Sequence, residues 1–279
     1  MLGPLLAPAA SLSWGLGDFL AGLRTRRLPV VTVLAVSQAA GLTTIALVVA
    51  LRGIGPPDAR YLAFGSLAGV AGAVGLAALY RGLAVGPMSL VAPISATAAV
   101  IPVLAGVLTG ERPSAAQAAG IGLAVAGVVL ASRARNVGGA HRTVAEGIGL
   151  ALVAAVAFGL LLVALGEASD GDPYWGTLAM RGTSFSLLVL TALVVRPSFA
   201  LNEGDLPVLL LIGVLDTVGN ALFAVATTKS LLSVAAVLGQ LYPVVTVLLA
   251  RVVLGERMSR GQLLGVVAVF AGVALIAAG

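Results

Sequence analysis

Gly110-Glu111-Arg112-Pro113-Ser114-Ala115-Ala116-Gln117-Ala118-Ala119-Gly120 returns 145 residues later as Gly255-Glu256-Arg257-Met258-Ser259-Arg260-Gly261-Gln262-Leu263-Leu264-Gly265. The register then holds without a gap, Ala126-Gly127-Val128 falling on Ala271-Gly272-Val273 and Leu130 on Leu275. Apolar sequence of low complexity produces chance identities. A polar Gly-Glu-Arg followed by Ser and Gln at fixed spacing does not recur that way, so the chain reads as two copies of one unit.

Outward from these stretches, each copy is a succession of apolar runs. Of 279 residues, 59% are hydrophobic and 10% charged, against roughly 25% charged in a soluble domain, so water is not the main solvent. Residues 28 to 51, 61 to 80, 82 to 110, 113 to 132, 147 to 166, 230 to 250 and 261 to 279 hold no Asp, Glu, Lys or Arg. Each is long enough to span, since about 20 residues at 1.5 Å rise cross a ~30 Å hydrocarbon core. Segments 4 to 23, 173 to 195 and 205 to 229 span with one internal charge each, namely Asp18, Arg181 and Asp216. The first segment is read as a retained helix, not a secretory signal. No positive charge precedes it, Trp14 and Asp18 interrupt it, and Arg24-Thr25-Arg26-Arg27 follows it. A membrane β-barrel would need short segments of alternating polarity, which the sequence lacks.

The polar stretch around Arg133, Arg135, Asn136, Gly138, Gly139, His141 and Arg142 is the natural midpoint. It divides a first repeat, 1–135, from a second, 145–279, by a linker at 136–144. Five spans is an odd number, so the second repeat enters the bilayer from the opposite side to the first. The fold predicted is an all-α membrane protein with ten transmembrane helices in two inverted five-helix repeats around a central cavity, a plan that secondary transporters use to place a solute site at mid-bilayer. Both termini share one side. Arg24, Arg26, Arg27, Arg81, Arg133, Arg135, Arg142, Arg196, Arg251, Arg257 and Arg260 lie on the other, and only Arg52, Arg60, Arg112 and Lys229 lie with the termini. The positive-inside rule then sets the termini outside the cytoplasm, in a bacterial-type inner membrane.

Several function classes lose their parts at this stage. The chain has no cysteine and one histidine, His141 in the central loop, which leaves no thiolate metal site, no Cys nucleophile and no Ser-His-Asp set. No P-loop, HExxH, GxGxxG or GxSxG occurs, so neither a metal nor a cofactor is expected. The net charge of +5 is scattered singly and forms no basic patch with interleaved aromatics, which argues against a nucleic-acid partner. The partners expected are the bilayer and a small solute, with the chain a monomer or homodimer.

Candidate cavity residues are the polar groups at membrane depth. An ionisable side chain at mid-span costs about 2.5–3.5 kcal/mol on insertion scales, so Asp216 and Arg181 need compensation. Two accounts fit. They face a wet cavity and meet a zwitterionic solute or exchange a proton, or else they form a structural pair, with Arg181 snorkelling from its place eight residues after Pro173. Asn220 and Phe223 follow Asp216 on one helix face. Gln240, Tyr242, Pro243 and Thr246 on the ninth span correspond under the repeat to the stretch holding Pro93, Ser95, Thr97 and Pro102 on the fourth. Proline removes a backbone donor, and paired interruptions in matching spans point to a transporter's site, although kinks that merely pack also occur. Pro93, Pro102 and Pro243 are the candidate hinges. Gln38 at mid-span, Tyr80 at the end of the third span, and Trp14, sharing a face with Asp18, complete the set. Tyr and Trp near helix ends are also ordinary interfacial residues, the reading preferred for Tyr174 and Trp175. Glycines and alanines at small-xxx-small spacing, Gly261 with Gly265 and Ala116 with Gly120, predict close packing of the fifth and tenth spans, with each other or across a dimer.

With these residues in view, the chain resembles the drug/metabolite transporter superfamily, and within it the EamA-like ten-helix members. Pro102-Val103-Leu104 through Leu108-Thr109-Gly110-Glu111-Arg112 and Tyr242-Pro243-Val244-Val245 through Leu254-Gly255-Glu256-Arg257 carry the likeness, supported by Ser13-Trp14-Gly15 and its echo Ala157-Phe158-Gly159. The resemblance implies export of amino acids or related metabolites, with YddG-type aromatic amino-acid exporters among the relatives suggested. Members often carry an Arg in the second helix of each repeat. Arg181 fits that place in the second half, whereas the first half has Ser37-Gln38. The rival readings are a proton-coupled exporter of lipophilic cations from the same superfamily and, from another class, a membrane-embedded enzyme or scaffold.

Overall fold

The computed structural model describes residues 3–132, 141–197, 200–255 and 260–278. Its elements are α1 (Gly3–Thr25), α2 (Val30–Arg52), α3 (Ala59–Val85), α4 (Met88–Ser95), a 3-10 turn (Ala96–Ala99), α5 (Val100–Leu108), α6 (Ala115–Ser132), α7 (His141–Ser169), α8 (Pro173–Val195), α9 (Asp205–Thr227), α10 (Leu232–Gly239), α11 (Tyr242–Leu254) and α12 (Arg260–Ala278). Lipid offers no hydrogen bonds, so each span satisfies its backbone internally as a helix. Counting α4 with α5, and α10 with α11, as single broken spans gives ten. Among the described residues, seven spans are apolar and long enough to cross a membrane, both broken ones included; α1, α6 and α12 complete the set. Large apolar side chains such as Leu51 (87% exposed) and Leu108 (86%) point outward, a surface suited to acyl chains and not to water.

Packing obeys the repeat. The contact of α1 with α9 is matched by that of α7 with α3, α2 with α9 by α8 with α3, α1 with α10 by α7 with α4, and α5 with α10 by α11 with α4. On the axis between the halves, α2 meets α8, and α6 packs extensively on α12. The small-residue spans therefore meet within one chain. Two equivalent glycines explain part of this closeness. A Cβ on Gly15 would strike Val245 and the Tyr242 carbonyl, and one on Gly159 would strike Ile101 and the Ala98 carbonyl. The Trp-Gly and Phe-Gly pairs thus let α1 and α7 approach the broken spans.

Three ion pairs test the threading. Arg24 meets Asp205 at 2.8 Å, Arg52 grips Asp172 through two bonds of 2.9 and 2.8 Å, and Arg81 lies 3.5 Å from Glu146. Each joins an end in the first half to an end in the second that ten alternating crossings put on the same side. A miscount of one span between partners would separate them by a bilayer, ~30 Å. Asp172 also caps α8, its Oδ1 accepting the Tyr174 and Trp175 N–H groups, while Arg52 stacks 4.2 Å over the Tyr174 ring. Partial burial pushes the Asp172 carboxyl up, but the Arg52 bond and the two backbone N–H groups outweigh it and leave the group below its usual range.

The repeated Gly-Glu turn acquires a physical role here. Gly110 has φ +101°, a left-handed conformation open to glycine. It turns Glu111 back over Gly106, where a side chain would collide with the carboxylate. The Leu232 and Ser233 N–H groups donate to Glu111 Oε1 (2.5 Å) and Oε2 (3.1 Å). One repeat thereby caps the broken ninth span of the other, satisfying donors that a helix N-terminus leaves open. Glu256 lies outside the described residues.

Several boundaries depart from those expected. The third span runs to Val85, not to residue 80, so Arg81 is a helix residue reaching outward and Tyr80 lies inside the helix. Gly86-Pro87 makes the turn, because Pro87 has no N–H to continue a helix and instead precedes the first residue of α4. His141, expected in the central loop, opens α7, and residues 141–144 of the expected linker are helical. Helices extend beyond the hydrocarbon because their internal hydrogen bonds need no apolar side chains, so an apolar window finds the buried part only. The eighth span ends at Thr227 and the ninth begins at Leu232, leaving Lys229 in the turn between them.

Candidate functional site

Between the helix ends the two halves leave a cavity of about 520 Å³, its open mouth included, lined by Trp14, Asp18, Gly72, Leu76, Phe158, Leu161, Leu162, Met180, Arg181, Ser184, Asp216, Asn220, Gln240 and Tyr242. The lining combines apolar and aromatic side chains with polar ones, among them Asp18, Arg181 and Asp216.

Asp216 is the middle residue of α9 and Arg181 lies eight residues into α8. Their side chains, 15% and 3% exposed, meet with Arg181 Nη2 2.7 Å from Asp216 Oδ2. This close contact is off the line of a hydrogen bond, and Arg181 Nε also has no hydrogen-bond partner. Arg181 Nη1 donates to Gln38 Oε1 at 2.8 Å, and the Ser184 hydroxyl donates to the same oxygen at 3.1 Å. Gln38 and Arg181 occupy equivalent places, each eight residues into α2 and α8, so the two repeats touch through matching positions of unlike chemistry. Asn220 Nδ2 donates to the Asp216 carbonyl at 2.8 Å and to Oδ1 at 3.3 Å. Arg181 is thus buried in a pair that also borders the cavity, and it does not snorkel.

Trp14 sits in a slot. A Cβ on Gly219 would strike its indole, one on Gly239 would crowd it, and the Phe223 ring lies 6.0 Å away between centroids. Tyr242 shares a short hydrogen bond of 2.5 Å with the Ser95 hydroxyl, linking the two broken spans. Pro102 and Pro243 each follow an interruption, the 3-10 turn Ala96–Ala99 and the break at Gln240-Leu241, whereas Pro93 lies inside α4. Gln240 Oε1 is buried without a hydrogen-bond partner.

Of the residues singled out from sequence, Trp14, Arg181, Asp216, Asn220, Gln240 and Tyr242 line the cavity. Gln38 and Ser95 stand behind it, holding Arg181 and Tyr242. Tyr80, not an interfacial residue, is 1% exposed within α3 and feels the charges of Asp18, Asp216 and Arg181. Thr97 lies apart from this set, lining a smaller recess with Val125 and Leu241 and donating to the Ile94 carbonyl. Sequence reasoning passed over Asp18, Phe158 and Ser184 as cavity groups. Each had a signal: Asp18 is one turn from Trp14, Phe158 is the repeat partner of Trp14, and Ser184 is one turn from Arg181.

Residues 1–133 and 145–278 each match the model of the EamA-like transporter family. The chain belongs to the EamA-like transporter family. That membership places it in the drug/metabolite transporter superfamily, whose members move solutes across membranes; the match is to the family as a whole and bears on no YddG-type subgroup either way. No curated protein matches the chain. Among solved structures, a crystal structure titled only as that of a protein superposes with a TM-score of 0.70 at 19% identity, over 98% of this EamA-like chain and 95% of the other. At that identity the likeness speaks for the fold alone.

Proposed function

We propose that this EamA-like protein exports amino acids, neutral or aromatic, and closely related metabolites by alternating access through the mid-bilayer cavity, with its termini outside the cytoplasm. The observation that carries this reading is a lining that combines apolar and aromatic side chains with both unmet acceptors and an unmet donor. Gln240 Oε1 and the Asp18 carboxylate call for N–H groups, and Arg181 Nε for an acceptor. An amino acid brings an ammonium, a carboxylate and an apolar side chain to match. Removing buried polar groups from water favours a solute that satisfies them. The spans broken at equivalent places supply the moving parts that such carriers use.

A second reading has one specific observation in its favour: two carboxylates, Asp18 and Asp216, face the cavity against one arginine. That surplus, with Trp14 and Phe158 nearby, also suits a lipophilic cation exchanged for protons. Counterflow in proteoliposomes, with labelled amino acids and cationic dyes run in parallel, separates the two. Exchange of aromatic or large neutral amino acids, well above protein-free liposomes, is the expected outcome. Exchange of dyes with none of any amino acid would overturn the main reading in favour of the second.

A further inference from the structure

The two cavity carboxylates are held differently. Asp216 has a counter-ion, Arg181 at 2.7 Å, and accepts a hydrogen bond of 3.3 Å from the Asn220 amide. Asp18, 8% exposed and aimed into the same cavity, has no hydrogen bond and no ion pair among the described residues. Its charged neighbour is Asp216, a like charge. The other titratable groups that feel its charge are Tyr80 of α3 and Tyr242 of α11, while Arg181 of α8, which also lines the cavity, is already engaged by Asp216. The α10 segment brings none.

A buried carboxylate with no counter-ion and a like charge beside it is held only while something neutralises it, either a proton or a cationic group. We propose that Asp18 is the exchangeable site of this cavity, occupied in turn by a proton and by the ammonium group of the solute, while Asp216 stays bound to Arg181. This rests on the reading that the cavity receives amine-bearing solutes. When the ammonium arrives, the Asp18 proton leaves to the water that the cavity then faces. When the solute departs on the other side, a proton is taken up there. One proton thus moves against one solute charge, and the coupling belongs to α1 and not to the ion pair of α8 and α9. The unmet Gln240 Oε1 provides a second acceptor for the same ammonium, and the Trp14 face one turn away adds attraction for a cation.

The test uses the full chain in proteoliposomes, with labelled phenylalanine and tetraphenylphosphonium as solutes, and infrared absorption of the same preparations titrated with pH. In Asp18→Asn, uptake driven by a pH gradient should be lost, any residual flux should no longer vary with pH, and a protonated-carboxyl band should vanish from the titration. Asp18→Glu should keep a pH-dependent flux with a displaced midpoint, which a packing role would not produce. A wild-type pH profile and an unchanged carboxyl titration in Asp18→Asn would overturn the assignment. Should the wild type carry neither solute, the substrate reading fails, while the infrared titration still decides for or against Asp18.

Discussion

The Arg181–Asp216 pair shows how a costly residue becomes tolerable in the bilayer. Arg181 places one nitrogen on Asp216 and another on Gln38, so deleting either charge leaves its partner buried. For Arg181→Met alone the expected loss is toward the low end of the ~3–5 kcal/mol typical of a broken buried pair, because Asp216 keeps some contact with the cavity. The double variant R181M/D216L should recover much of that loss, and Gln38→Ala should cost less than either single charge removal. Thermal unfolding in detergent measures all three, and an additive double variant would refute coupling. The identity of these residues was visible in the sequence, since an isolated charge within an apolar run has to be compensated. Their partners were not, because Gln38 reaches Arg181 across 143 positions. Asp18 was visible as a charge too, yet its lack of a partner is a property of three-dimensional surroundings.

At the level of elements, the repeated Gly-Glu turn was legible as a repeat and silent as to purpose. Its role follows from Gly110 at positive φ and the Glu111 carboxylate seated on the α10 N-terminus. Glu111→Ala should lower stability by roughly 0.5–2 kcal/mol, the usual cost of losing a helix cap, and Glu111→Gln should recover little, because an amide keeps one acceptor and loses the charge. Unfolding midpoints of the two variants check this, and a Glu111→Ala protein as stable as wild type would exclude the cap. The broken helices were predicted from Pro93, Pro102 and Pro243, of which Pro93 lies inside α4. Their placement beside the cavity came from Gly15 and Gly159, whose missing side chains admit the neighbouring backbone.

Across the whole molecule, the ion pairs Arg24–Asp205, Arg52–Asp172 and Arg81–Glu146 establish which ends share a side, but they do not say which side is cytoplasmic. The charge excess opposite the termini carries that part. A reporter active only outside the cytoplasm, fused to the C-terminus, should therefore be active, and activity of a cytoplasm-specific reporter there would reverse the orientation. What the sequence determined by itself was the solvent, the helical class and the two-copy plan, because each depends on composition and periodicity along the chain. Tertiary structure alone decided which mid-span polar groups meet one another, which meet the cavity, and which carboxylate is left without a counter-ion. Apolar helices of near-uniform composition have no face marked for water, so the inward side of each span is set by close packing of small residues and by a few polar pairs between distant segments.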